Sequence, residues 1–184
     1  MDNSDVTKIR CAMTKKLPDM PDLANAQEWA NELASETNRG CALLAASWLE
    51  ESTKHLIKCG LVEEAPQSLM KEVFSGTGPY ATFSSSINIC FLSGYISNKE
   101  RSALHLVRKV RNEFAHSAQL NLDFEQEPVS DLCKRMKQIF PIPFSTPNNK
   151  NLFCATAAFL LVNLSHIRRG KIRPAAKAPD LKWD

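Results

Sequence analysis

The sequence lacks any Cys-x-x-Cys pair, any alternating strand pattern, any hairpin turn and any internal repeat. Its six cysteines (Cys11, Cys41, Cys59, Cys90, Cys133 and Cys154) are scattered through mostly apolar helical contexts. Such thiols read as reduced residues of a cytosolic chain and not as a disulfide framework. A structural zinc site needs clustered ligands. The four histidines offer only one close pairing with a cysteine, His55 with Cys59 at i, i+4, and no metal site is expected. Long apolar runs are also absent. The longest, Leu152 to Leu164, has 13 residues, whereas a membrane span needs about 20. The polar start "MDNSDVTKIRCAMTKK" carries no secretory signal. The expectation is a cytoplasmic protein with no membrane partner. Net charge of one sign is weak as well. At +3 it does not by itself argue for nucleic acid.

A phosphate loop is excluded too. The turn Gly76-Thr77-Gly78-Pro79 lacks the Gly-Lys-Ser/Thr ending that cradles a nucleotide, and no cofactor is expected.

What remains is helical. From Asp22 to Gly60 apolar residues recur at steps of three and four, including Leu23, Ala30, Leu33, Leu44, Trp48 and Leu56. This predicts one long helix, or two with a break near Gly40, with Asp22 as N-cap and Gly60 just past the end. Trp29 and Trp48 read as core anchors. A second element covers about 66–74. The next helix is expected from Pro79, as its first residue, to about Leu92, with Gly94 ending it. Its serines, Ser84 to Ser86, allow close helix approach. "SNKE" (Ser97 to Glu100) is a capping box, and the helix behind it runs to His116. A polar loop "SAQLNLDFEQEPV" leads to a helix from Val129 to Ile139. After the loop "PIPFSTPNN", a strongly apolar helix over 151–168 suits the centre of a bundle. The expected organisation is an all-α, single-domain multi-helix bundle. Residues 1–20 form an N-terminal segment, 21–168 the helical domain, and 169–184 a basic, flexible tail.

One segment could carry chemistry: "VRKVRNEFAHS", Val107 to Ser117. Asn112 and His116 are four apart and share a helix face. Arg111 and His116 are five apart, about 140° round the helix, and meet only if the helix bends, if the arginine reaches across, or if two copies pair. Together such a set could cleave RNA without metal. His116 would move protons, Arg111 would hold the phosphate and Asn112 would orient it, with the RNA's own 2′-hydroxyl as nucleophile. The alternative is a structural latch, in which Arg111 and His116 satisfy open carbonyls and oppose the dipole at the helix C-terminus.

The stretch Phe74 to Ser117 resembles the signature of the mannitol operon repressor family. Gly78-Pro79, Phe83-Ser84, Ile87, Gly94-Tyr95-Ile96 and Arg111 to His116 carry the resemblance; Tyr80 and Ser86 depart from it. The resemblance implies an all-helical bacterial cytosolic regulator. The chain shows no helix-turn-helix with a recognition helix, so direct DNA binding is disfavoured and repression through a protein partner fits better. The interaction surface implied comprises Gly78, Pro79, Tyr80, Arg108 and Glu113. The same Arg-Asn-x-x-x-His end is similar to the ribonuclease motif of HEPN domains, which are helical bundles and usually dimers. That resemblance implies, as the alternative, a metal-independent ribonuclease or RNA-binding relative, acting as a homodimer through Arg111, Asn112 and His116.

Overall fold

A computed structural model describes residues 26–139, 146–170 and 172–176. The N-terminal segment, Asp22 and most of the loop at 140–148 lie outside the described residues.

Helix α1 (Ala26–Ser35) and helix α2 (Asn38–Cys59) divide the long periodic stretch at Glu36 and Thr37, not at Gly40. The reason is local capping. Thr37 Oγ1 accepts from Gly40 N at 3.0 Å, so Gly40 lies within the first turn of α2. The end of α1 is sealed from outside: Lys150 Nζ donates to Ala34 O (2.8 Å) and Glu36 O (2.6 Å). Gly60 closes α2 in a right-handed conformation, φ −93°. Its missing side chain serves packing, because a Cβ there would collide with the Tyr95 hydroxyl.

Helix α3 is Gln67–Phe74 and α4 is Phe83–Leu92. Pro79 does not start α4, as the sequence suggests. Thr82 caps that helix, with Oγ1 accepting from Ser85 N at 3.1 Å. Residues 75–81 wrap the end of α3 instead. Gly76 turns with φ +60°, Gly78 N donates to Ser75 O (3.0 Å) and Tyr80 N donates to Val73 O (3.0 Å). Gly78 must be glycine here, since a Cβ would come within 2.7 Å of the Val73 carbonyl carbon. Gly94, at φ +73°, stops α4, and Tyr95 N reaches back to Cys90 O at 2.9 Å.

Helix α5 (Asn98–His116) opens with the expected capping box. Glu100 N donates to Ser97 Oγ (3.2 Å) and Ser97 N to Glu100 Oε2 (2.7 Å). Helix α6 is Val129–Ile139, and α7 (Asn149–Gly170) runs past the expected boundary at 168. Part of the expected tail lies on the bundle: Ile172 packs against the core and Ala175 N donates to Gly60 O at 3.2 Å.

These seven helices, with no strand among the described residues, build an all-α bundle. Helix α7 lies against α1, α2, α5 and α6, and α2 also packs on α4 and α5. By length and composition α7 (Asn149–Ile167, mean hydropathy 1.2) could cross a membrane, yet most of it is buried inside the bundle. Phe153, Ala157, Leu160, Leu161 and Leu164 face inward. Each fully buried leucine or phenylalanine contributes about 1.5–3 kcal/mol. The loop before α6 is not purely polar. Phe124 is buried and stacks between Phe114 (4.9 Å) and Phe153 (5.2 Å), tying α5 to α7. Ser86 serves as the sequence suggests: it is buried and bonds Thr53 at 2.9 Å where α4 meets α2. Trp29 and Trp48 meet edge to face at 4.6 Å, half-buried against the core.

Candidate functional site

Helix α5 places the candidate residues. Its buried stripe is Ala103, Leu106, Val107, Val110 and Phe114, with Leu104 beside it. Regular helix continues to His116, so the chain neither frays nor bends between Arg111 and His116. The two side chains therefore leave the helix about 140° apart. Both are exposed. Arg111 Nη1 donates to Asn112 Oδ1 at 3.1 Å, and Asn112 is half-buried.

The latch at this helix end exists, but other residues make it. Arg39, from the first turn of α2, donates through Nη2 to Ser117 O (3.1 Å) and Gln119 O (3.2 Å). Arg111 and His116 make no bond to those carbonyls. No spacing in the sequence reveals Arg39, because its partners are 78 and 80 residues away. The same end of the bundle holds a second latch. Asn149 N and Nδ2 donate to the two Glu125 carboxylate oxygens, both at 2.8 Å, which fixes the start of α7 beneath Phe124.

A cleft of about 410 Å³ opens between α5 and α6. Arg108, Lys109, Asn112 and Glu113 line one wall, and Pro128, Asp131, Leu132 and Arg135 the other. Arg108, Asn112 and Glu113 from the sequence reading thus come together here, while Arg111 and His116 do not line it. Gly78, Pro79 and Tyr80 lie elsewhere, on the 75–81 wrap. Tyr80 stacks on Phe74 at 5.6 Å and only Pro79 of the three is exposed. A shallower concavity of about 540 Å³ is formed by Gln119, Leu120, Asn121, Gln126 and Glu127. Its Leu120 is almost fully exposed.

Above the cleft, α5 carries a histidine that sequence reasoning passed over. Asn88 Oδ1, on α4, receives Arg101 Nε (3.2 Å) and faces His105 Nε2 (3.2 Å). Burial holds the His105 imidazole below its ordinary range, and the neighbouring Arg108, Arg101 and Lys109 push it the same way. Two buried atoms on this face find no protein partner, His105 Nδ1 and Arg108 Nε. Among the described residues the ion pairs include Lys54–Glu50 (2.7 Å) and Lys134–Glu127 (3.4 Å). None of Arg101, Arg108, Lys109, Arg111 or Arg135 is in one.

No family model, curated protein or solved structure matches this chain.

The cysteines divide by burial. Cys41, Cys90, Cys133 and Cys154 are buried and unbridged, and Cys59 is half-buried with Sγ 3.3 Å from His55 Nε2. Cys41 and Cys154 face each other at 3.4 Å between α2 and α7. The hydrogen bond from that neighbour, then burial, push the Cys41 thiol up. Among the described residues no three His, Cys, Asp or Glu side chains gather to hold a metal ion.

Proposed function

We propose that this chain is a non-enzymatic regulatory protein of the mannitol operon repressor type, working in a bacterial cytosol through contact with a protein partner. One observation carries the reading: the α5–α6 cleft is lined by both charge signs, with Arg108, Lys109 and Arg135 beside Glu113 and Asp131. A nucleic-acid surface gains affinity from cations that neutralise a continuous row of phosphates. Two carboxylates set among those cations oppose such a row. A polypeptide can match both signs in register, and mixed charges of this kind fix partner choice more than raw affinity. Among the described residues none of these three cations is in an ion pair, which supports the same reading.

The second reading is an RNA-cleaving or RNA-binding relative of HEPN domains, as a homodimer. It is favoured by the exposure of both Arg111 and His116. Their divergence round a regular helix means that a single copy gives a poor phosphate site, so this chemistry requires two copies facing each other.

The test is affinity purification of the chain from its native cells beside a Lys109→Glu/Arg135→Glu variant. Both positions are exposed, so folding should survive. The reading expects a defined protein that co-purifies with the natural chain, persists through nuclease treatment and is lost with the variant. Loss on nuclease treatment, or metal-free RNA cleavage abolished by His116→Ala, would overturn it in favour of RNA.

A further inference from the structure

We infer that Cys41 and Cys154 are a redox-sensitive dithiol, which a peroxide oxidises to a disulfide that locks the start of α2 to the start of α7. Neither thiol lines the α5–α6 cleft, and the pair stands whatever occupies that cleft. Cys41 lies in the first turn of α2 and Cys154 in the second turn of α7. The two residues are 113 positions apart in the chain, yet their sulfurs face each other at 3.4 Å. A disulfide needs about 2.05 Å, so the bond closes with an approach of about 1.3 Å. A single buried cysteine packs as a small apolar residue. Cys90 is of that kind, with its Sγ against Thr53 O at 3.5 Å. Two facing sulfurs on different helices are what a bridge requires.

The pair is not symmetric. The Cys41 S–H donates toward Cys154 Sγ, and Lys150, one turn earlier on α7, adds a positive charge; both hold the Cys154 thiol below its ordinary range against the opposing effect of burial. The same hydrogen bond, with burial behind it, keeps Cys41 protonated. Cys154 therefore ionises first and is the attacking thiolate. It takes one oxygen of hydrogen peroxide as the O–O bond breaks, which leaves Cys154 a sulfenic acid; the departing hydroxide takes up the proton that Cys154 released and becomes water. The Cys41 sulfur then attacks the Cys154 sulfur. The S–O bond breaks, and the leaving hydroxide carries off the Cys41 proton as a second water. The two sulfurs lose two electrons in all, and the peroxide gains them. Both thiols are buried, so the oxidant enters when the α1–α2 joint opens. That joint, Glu36 and Thr37, belongs to neither helix and is exposed. It borders the pair: Cys41 N donates to Thr37 O at 2.8 Å, and the Glu36 carboxylate acts on the Cys41 thiol. Lys150 holds it to α7 through the Ala34 and Glu36 carbonyls. An exposed joint of this kind opens at lower cost than the whole bundle.

The experiment treats the full, folded chain with hydrogen peroxide, blocks the remaining thiols with iodoacetamide and digests without reductant. Mass spectrometry should find a peptide in which Cys41 is linked to Cys154. Because the bridge closes a long loop of the unfolded chain, Tm should rise by about 10 °C, and dithiothreitol should reverse both changes. Cys59→Ser leaves the pair intact and should behave as the natural chain does. Cys154→Ala should lose both the link and the rise in Tm. The linked peptide is read on the natural chain, so the test does not depend on that core variant folding. A link between other cysteines in place of this one overturns the inference. So does a Cys41–Cys154 link that forms only at urea concentrations that unfold the chain, or one that forms and leaves Tm unchanged.

Discussion

Arg39→Ala gives the sharpest test of how the C-terminal end of α5 is held. Arg39 reaches from α2 to two carbonyls just beyond α5, Ser117 O at 3.1 Å and Gln119 O at 3.2 Å. A hydrogen bond from a charged donor is worth about 1.5–3 kcal/mol when well shielded. Here one bond is part-buried and the other exposed, and ordering a long side chain costs side-chain entropy. The shielded bond at its lower value plus a small share from the exposed one leaves a loss of about 2 kcal/mol. For a chain of this size that lowers Tm by about 4–8 °C. Arg111→Ala and His116→Ala remove exposed side chains that touch neither carbonyl, so each should stay within about 0.5 kcal/mol of the natural chain. Urea unfolding followed by circular dichroism measures all three, with m-values compared to confirm that the same surface is exposed. An Arg111→Ala or His116→Ala loss as large as that of Arg39→Ala would refute the assignment and return the latch to the residues the sequence suggested.

Three further predictions follow from the geometry. His105 has its proton affinity lowered by burial, so the unfolded chain, titrating near 6.5, binds the proton first. Its contribution to stability is complete above about pH 6.5 and is lost as pH falls through the folded pKa; His105→Gln should flatten the pH dependence of urea midpoints in that window, and an unchanged slope would count against the burial argument. Phe124→Ala should cost about 3–5 kcal/mol, because the ring fills the space between Phe114 and Phe153; a loss under about 1 kcal/mol in the same assay would mean that the loop does not close the core. Burial pushes the Cys90 and Cys133 thiols up to about 12, Cys133 with help from Glu125 and Cys154, so both should resist iodoacetamide at pH 8 until the chain unfolds. Among the described cysteines half-buried Cys59 should label first, and mass spectrometry showing Cys90 modified as fast would contradict this.

Much of the fold was legible because it depends on local signals. Periodicity of apolar residues marked α2, α5, α6 and α7, and the Ser97–Glu100 capping box fixed the start of α5 to the residue. The errors arose where distant partners decide. Pro79 is a good first helical residue in isolation, but the 75–81 segment bonds back to α3 and delays α4 to Phe83. Phe124 sits in a stretch that reads as a polar loop, although two rings far away in sequence enclose it. The candidate site divides the same way. Arg108 and Glu113 came only with the family resemblance, whereas spacing showed that Arg111 and His116 diverge. Spacing could not bring α6 against Arg108 and Glu113, nor Asn88 against His105, since those contacts depend on how the helices pack. Arg39 was invisible for the same reason.

Under the proposed function the α5–α6 cleft receives a polypeptide. Asn112 lies in that cleft and is half-buried, so a photo-crosslinking amino acid placed there reports on whatever occupies it. Irradiated in the native cells, the chain should yield an adduct of defined mass that protease removes and nuclease leaves intact. An adduct that nuclease removes would contradict the claim.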